Sequence, residues 1–573
     1  MFLKHSTIAP ARTASLLQAA EAAARRIPPA FPLSATVAVN PFLGQTGEDL
    51  ATAAARLARV AGLRITQERG HYAEAIKAGR ITDDDLAAAL IACHSGLKPL
   101  DLATLKARAA QEAPTPAALP TLATLAAKAS GQDWPAVVTR CFGLWAAGQF
   151  DRGQALWSPA PGTGTFAAWR AWAVHDLTPE IAGLKGFCAH VAGAPDTADR
   201  AILEACEKLG VTDAAAETLF HRLLIDLGGW AQHARWLLWQ AELSGASDPT
   251  LTDLLAIRLV WEAALLQLHP AIAADWQATV AAHAAPVAAT PDTVLDAILQ
   301  DAAERAHQRG IAALMTGAKP VTGRPALQAA FCIDVRSEVF RRALEAQDPA
   351  IATIGFAGFF GLTLAHRGPG TDEVAAHLPV LLNPGFHSHS HAAAPVEEAT
   401  RIAARTTRAW GRFRQAAVSS FAFVEAAGPA YAAKLVTSSL GLGQGDKAPD
   451  PAPEFDTALA PEVKAATGAA VLKAMSMQEG HARLVLLLGH GAQVTNNPHE
   501  SAYHCGACGG QTGEVSARLL ARLLNDPETR AGLAAHGVTV PADTLFIAGL
   551  HDTTTDEITL YQDCLLYTSP SPR

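Results

Sequence analysis

The chain reads as an α/β protein in two parts: a long Ala-rich, mainly helical region, then a C-terminal α/β domain with a largely parallel sheet. Three observations carry this. Up to about residue 320, Ala and Leu recur at helical spacing, as in Ala14-Ser15-Leu16-Leu17-Gln18-Ala19-Ala20. From about residue 325 short apolar runs alternate with helical patterns, the α/β signature. Those runs, Leu327 to Phe331, Leu484 to Leu488 and Thr544 to Leu550, are continuous, as buried strands are.

In chain order, residues 1–320 form the first region, with Pro-rich breaks near 113–120 and 159–163. Tryptophans are dense from Trp145 to Trp276 at helical intervals. Core packing or a buried helix–helix interface is their expected role, with partner docking as the alternative for this region. Asn40-Pro41 reads as a strand ending in a turn, which would lend a strand to the later sheet. Residues 321–563 form the second domain, with a less regular insertion over about 365–455. Within it His387, His389 and His391 alternate with Phe386, Ser388 and Ser390. As a strand they would share a face and suit a metal, but the adjacent Pro384-Gly385 favours an exposed loop. Gly441-Leu442-Gly443-Gln444-Gly445-Asp446-Lys447 has no strand before it and reads as a linker rather than a phosphate loop. Residues 564–573, from Cys564, break the pattern and resemble a translated sequencing adapter. They are set aside, with the native chain expected to be truncated near Asp563.

The chemistry-bearing residues stand at strand ends. Phe331-Cys332-Ile333-Asp334-Val335-Arg336-Ser337-Glu338 joins a buried run to a helical pattern. Extended at period 2, Cys332 and Asp334 would leave one face and could touch one ion, a donor pair that suits zinc. A core cysteine followed by a helix-capping aspartate is the plainer alternative, and these residues alone leave both open. The second run ends in Gly489-His490-Gly491 and is followed by the loop from Asn496 to Gly510. The third ends in His551-Asp552. Open α/β sheets gather ligands at the carboxyl ends of their strands, so these groups are expected to converge on a zinc site. Cys505-Gly506-Ala507-Cys508 is a C-x-x-C that admits redox chemistry or a shared zinc. His551 and Asp552 offer a hydrogen bond that orients a metal ligand, or a proton path, or simply close a strand end.

Composition narrows the function classes. Half of the 573 residues are apolar and 17% are charged, enough for a large core. The net charge of −9 argues against a general nucleic-acid binder. The eight cysteines lack disulfide spacing, which suits a reducing compartment. No signal peptide and no run of about 18 apolar residues is seen, so a cytoplasmic protein, tethered by a partner if at all, is expected.

Cys332-x-Asp334-x-Arg336 with the distant His490 and Cys505 resembles the zinc set of β-class carbonic anhydrases. Longer strings resemble the DabA family, the large soluble subunit of a two-component inorganic carbon pump. They are Val37-Ala38-Val39-Asn40-Pro41-Phe42, Ala167-Ala168-Trp169-Arg170, Phe331 to Glu338, Gly355-Phe356-Ala357-Gly358-Phe359-Phe360-Gly361, the 496–510 loop and His551 to Glu557. The resemblance implies a β-carbonic-anhydrase-like sheet with Zn²⁺ held by Cys332, Asp334, His490 and Cys505. Cys508 is then a reserve ligand, and His504 stands where the family leads one to expect an acidic residue. It further implies that Asp334 leaves the metal to pair with Arg336, opening the site to water for CO₂ hydration to bicarbonate. The implied partner is a DabB-type proton-translocating membrane subunit, and the implied place the cytoplasmic face of the inner membrane. A stand-alone carbonic anhydrase or other zinc hydrolase, and a scaffold with a structural zinc, are the alternatives.

Overall fold

The computed structural model describes residues 9–33, 39–151, 160, 162–316, 323–416, 420–440, 451–494 and 497–563. The chain divides into two compact units, one of residues 1–30 and 39–320, the other of residues 31–38 and 321–573. The fold is mixed α/β: the first unit is helical among its described residues, and the sheets lie in the second.

The helical unit is built around Thr250–Leu268, a helix that is apolar on every side apart from a few polar residues and is correspondingly buried almost throughout. Two of those polar residues, Arg258 and Glu262, lie one turn apart and pair at 2.8 Å. Trp134, Trp145, Trp169, Trp261 and Trp276 are core residues. Trp276 donates its indole N–H to the Leu209 carbonyl at 2.9 Å, and Trp261 packs against Phe187 with ring centroids 4.1 Å apart. The dense aromatic run is therefore mostly consumed in packing. Asn40 sits in a turn, its side chain accepting the Phe42 N–H at 2.9 Å, while residues 34–38 lie outside the described set.

The second unit holds a five-stranded sheet. Its strands are β1 (Leu327–Cys332), β2 (Ile351–Phe356), β7 (Leu484–Gly491), β8 (Leu545–Asp552) and β9 (Glu557–Tyr561). Their order is β2-β1-β7-β8-β9, parallel except for β9. The chain moves outward from β1 to β2 on one side and from β7 to β8 on the other. The crevice between β1 and β7 is therefore the topological switch point. Helix Glu514–Asn525 packs on β7 and β8 over the larger apolar face.

The insertion is more regular than expected. It forms a second sheet, β4-β3-β5-β6, from β3 (Leu364–Arg367), β4 (Val374–His377), β5 (Phe386–Ser390) and β6 (Pro453–Phe455). Between β5 and β6 lie two helices, Ala394–Ala416 and Ser420–Ser439. The loop expected over His387 to His391 is thus corrected to strand β5 as far as Ser390. Ser388 and Ser390 turn inward to His366, and His389 pairs outward with Asp456 at 2.6 Å. Pairing with β3 and β6 overrides the local Pro-Gly signal. The 441–447 segment and the tail from Cys564 lie outside the described residues.

Candidate metal centre

Cys332 is the last residue of β1 and His490 the seventh of the eight in β7, so the switch point brings these distant positions side by side. The chain then loops back: the Gly513 N–H donates to the His490 carbonyl at 3.0 Å. A Cβ on Gly489 would lie 2.4 Å from the Gly513 carbonyl carbon, so only glycine lets the two backbones meet this closely. That contact sets the preceding loop, whose Cys505 pairs backbone-to-backbone with Gln511. The loop is also held by Ser501, whose hydroxyl donates to the Leu33 carbonyl at 2.5 Å.

The result is a buried donor cluster. One ligand atom each from Cys332, His490 and Cys505 lies within 4.8 Å of the others, and the two sulfurs are 3.4 Å apart. Both ring nitrogens of His490 are buried without a hydrogen-bond partner. Gly358, just past β2, roofs the sulfurs: a Cβ there would stand 2.5 Å from Cys505 Sγ and 2.7 Å from Cys332 Sγ. Buried polar atoms without partners are costly, and two thiols plus an imidazole are the donors zinc takes. The residues fit a zinc ion on that ground. Hydrogen bonds from Cys332 and Cys508, with His490 nearby, hold the Cys505 thiol well below its ordinary pKa, while the bond to Cys505 and then burial push Cys332 up.

Asp334 is placed differently. β1 stops at Cys332, and Asp334 caps the helix Val335–Glu345 by accepting the Arg336 N–H at 2.9 Å. The alternation expected from Cys332 to Asp334 is therefore corrected, because capping draws the backbone out of the strand. The carboxylate is gripped by the Arg336 fork at 2.7 and 2.9 Å, and Arg336 also donates to the Tyr503 carbonyl at 3.1 Å. Asp334 Oδ2 stands 3.6 Å from His490 Nε2, beside the cluster. Burial raises the Asp334 pKa, but the Arg336 bonds outweigh it and leave the group below the usual carboxylate range.

The remaining candidates surround this centre. Cys508 is buried in a tight turn, Gly506–Cys508, with its free thiol hydrogen-bonded to Cys505 rather than in the open donor set. His551 is buried against Phe331 and Phe340, with Nδ1 3.1 Å from the Ser337 hydroxyl and Nε2 3.3 Å from Asp556. Asp552 accepts the Thr554 hydroxyl and N–H and closes the turn after β8. His504 is bonded to Glu500 at 3.5 Å. Among the described residues the β5 histidines join no metal-donor group. Gly358 and Tyr503 went unnoticed as parts of the site. A glycine two residues past the strand next to β1 was the available signal for the first; a carbonyl acceptor leaves none.

The DabA family model, described as "Probable inorganic carbon transporter subunit DabA", matches residues 20–572. A curated protein of that name from Rhodopseudomonas palustris (strain BisB5) is 59% identical over 552 residues, covering 95% of this chain and 68% of its own. Its namesakes from Allorhizobium ampelinum and Azorhizobium caulinodans are 58% and 56% identical, each with 95% of this chain and 68% of their own covered. No solved structure matches the chain. With its donor cluster at the sheet's switch point and 95% of its length similar to these proteins, the chain belongs to the DabA family of inorganic carbon transporter subunits.

Proposed function

We propose that this protein is the zinc-holding, CO₂-hydrating subunit of an energy-coupled inorganic carbon transporter. The observation that carries the reading is the buried Cys332, His490 and Cys505 cluster with the Asp334–Arg336 pair beside it. These three residues would hold the ion, three protein donors being the count of a catalytic rather than a closed structural zinc. A zinc ion there would supply the Lewis acidity that makes water a nucleophile toward CO₂ near neutral pH. Two thiolates already balance the charge of Zn²⁺, so a fourth, anionic donor overloads the site. Arg336 offsets this by binding Asp334 in a bidentate fork and holding it aside. Asp334 is then the gate: joined to the cluster it completes a closed set, and held by Arg336 it leaves the set open. A proton-translocating membrane subunit of the DabB type that biases Asp334 toward one position would make hydration to bicarbonate one-way. The protein itself would sit peripherally on the cytoplasmic face of the inner membrane.

The test is zinc per chain in the purified protein and in His490→Ala and Cys505→Ala. About one zinc in the parent, lost from both variants, is expected; a folded parent free of zinc would sink the reading. Arg336→Ala separates the closed-scaffold alternative, which Cys508 beside Cys505 favours. The gated site predicts that zinc stays while carbon-dependent growth in air, with the membrane partner present, is lost. A structural zinc predicts that both persist.

A further inference from the structure

Among their described residues, the helices Ala394–Ala416 and Ser420–Ser439 bury only Ala427 and contribute nothing to the large apolar cluster of their unit. What they expose is unusual for a protein surface. On the first helix Arg401, Arg405, Arg408 and Arg412 follow one another at spacings of 4, 3 and 4, which sets them in a single stripe. Ile402, Ala409 and Phe413 fall on the neighbouring stripe, and Ile402 and Phe413 are 55% and 51% exposed. No Asp or Glu occurs from Ala399 to Val424, in a chain whose net charge is −9. An aromatic cluster ties the helices together: Trp410 packs on Phe413 and Phe423 and donates its indole N–H to the Tyr431 hydroxyl at 2.7 Å. Trp410 remains 46% exposed even so.

We propose that this helix pair is a docking surface for an anionic lipid bilayer. The charge complementarity is direct, since a stripe of guanidinium groups beside apolar and aromatic side chains matches phosphate headgroups above hydrocarbon. Trp410 has the amphipathic ring that settles at that boundary. The second helix widens the apolar surface: its exposed Val424, Leu435 and Val436, with Leu440 just beyond its end, fall on one side of the helix. An apolar side next to a cationic stripe is what interfacial helices bury at the headgroup boundary. Neither helix is long and apolar enough to cross a membrane, so the pair lies in the interface. This inference rests on the exposed helices alone and is independent of the metal chemistry.

The experiment is co-sedimentation of the full chain with phosphatidylcholine vesicles, with and without added phosphatidylglycerol. Binding is expected only to the anionic vesicles and should weaken with salt. It should fall about fivefold for each arginine neutralised in the series Arg401→Gln, Arg405→Gln, Arg408→Gln and Arg412→Gln. Brominated lipid should quench part of the tryptophan fluorescence, and Trp410→Phe should abolish that part. These positions are outside the core, so unchanged melting of the variants establishes that they fold. Equal binding by the parent and the fourfold variant, or no vesicle binding by a folded parent, would overturn the proposal. Retention on cell membranes that vanishes after protease shaving would also overturn it, by making the occupant a protein.

Discussion

A buried ion pair of the helical unit and the donor cluster of the α/β unit are completed in different ways. In the helical unit three buried arginines are met by carboxylates. Arg258 lies 2.8 Å from Glu262, Arg69 2.6 Å from Asp296, and Arg56 2.6 Å from Glu48. In the α/β unit the buried cluster collects donors of one kind, two sulfurs and an imidazole, with no cation among them. Opposite charges complete each other and ask for nothing more. A set of electron-pair donors is complete only with an ion, so it marks where a ligand belongs.

If the contrast is real, damage to each kind of group should read out differently. The largest effect is expected from Glu262→Ala, which leaves buried Arg258 only Asp226 at 3.5 Å and takes the acceptor from the Leu122 N–H. It should cost about 3–5 kcal/mol in denaturant unfolding of the helical unit and leave zinc content unchanged. Gly358→Ala comes next. Its Cβ cannot coexist with the sulfurs where they stand, so zinc affinity should fall on the order of 100-fold in a competitive chelator titration. The helical unit should keep its hydrogen-exchange protection. An unchanged zinc affinity would mean that the sulfurs are free to move and would weaken the case for a preformed site.

The smallest effect should be common to both units. Burial depresses His221 to about 3 and His283 to about 4 in the helical unit, and His366 and His377 to about 4 in the other. Unfolded imidazoles bind a proton near 6.5, so the unfolded state holds more protons below that pH and stability is lost as pH falls. Between about pH 7 and about pH 6 the helical unit should lose about 1 kcal/mol through His221 and His283. The loss should deepen toward pH 4, and urea unfolding across that range measures it.

Legibility in the sequence followed the same division. β1, β7 and β8 were readable because continuous apolar runs ended in residues that core strands rarely carry: cysteine, histidine and aspartate. Their adjacency followed from the rule for parallel sheets. The second sheet was not readable. β3 and β4 are four residues each and β6 three, and the inward faces of β3, β4 and β5 hold His366, His377, Ser388 and Ser390, which look polar in sequence. Asp334 shows a different limit. Its type and place were evident, but whether it faces the sulfurs or Arg336 is decided by a cap and a guanidinium fork at once, and spacing alone cannot weigh them.

The pairing of β1 with β7 also sets a timetable. During synthesis β1 and its Cys332 leave the ribosome long before their partners, since Cys332 and Cys505 are 173 residues apart. At roughly 5–20 residues per second that is a delay of about 10–35 s. Through that interval β1 is an apolar strand with one side unpaired and its thiol without the Cys505 neighbour that later helps to enclose it. The centre can close only once the 496–510 loop has followed β7. An ion bound there would act as a clasp between early and late parts of the chain, and its capture would report that β1 had found β7 and the loop beyond it.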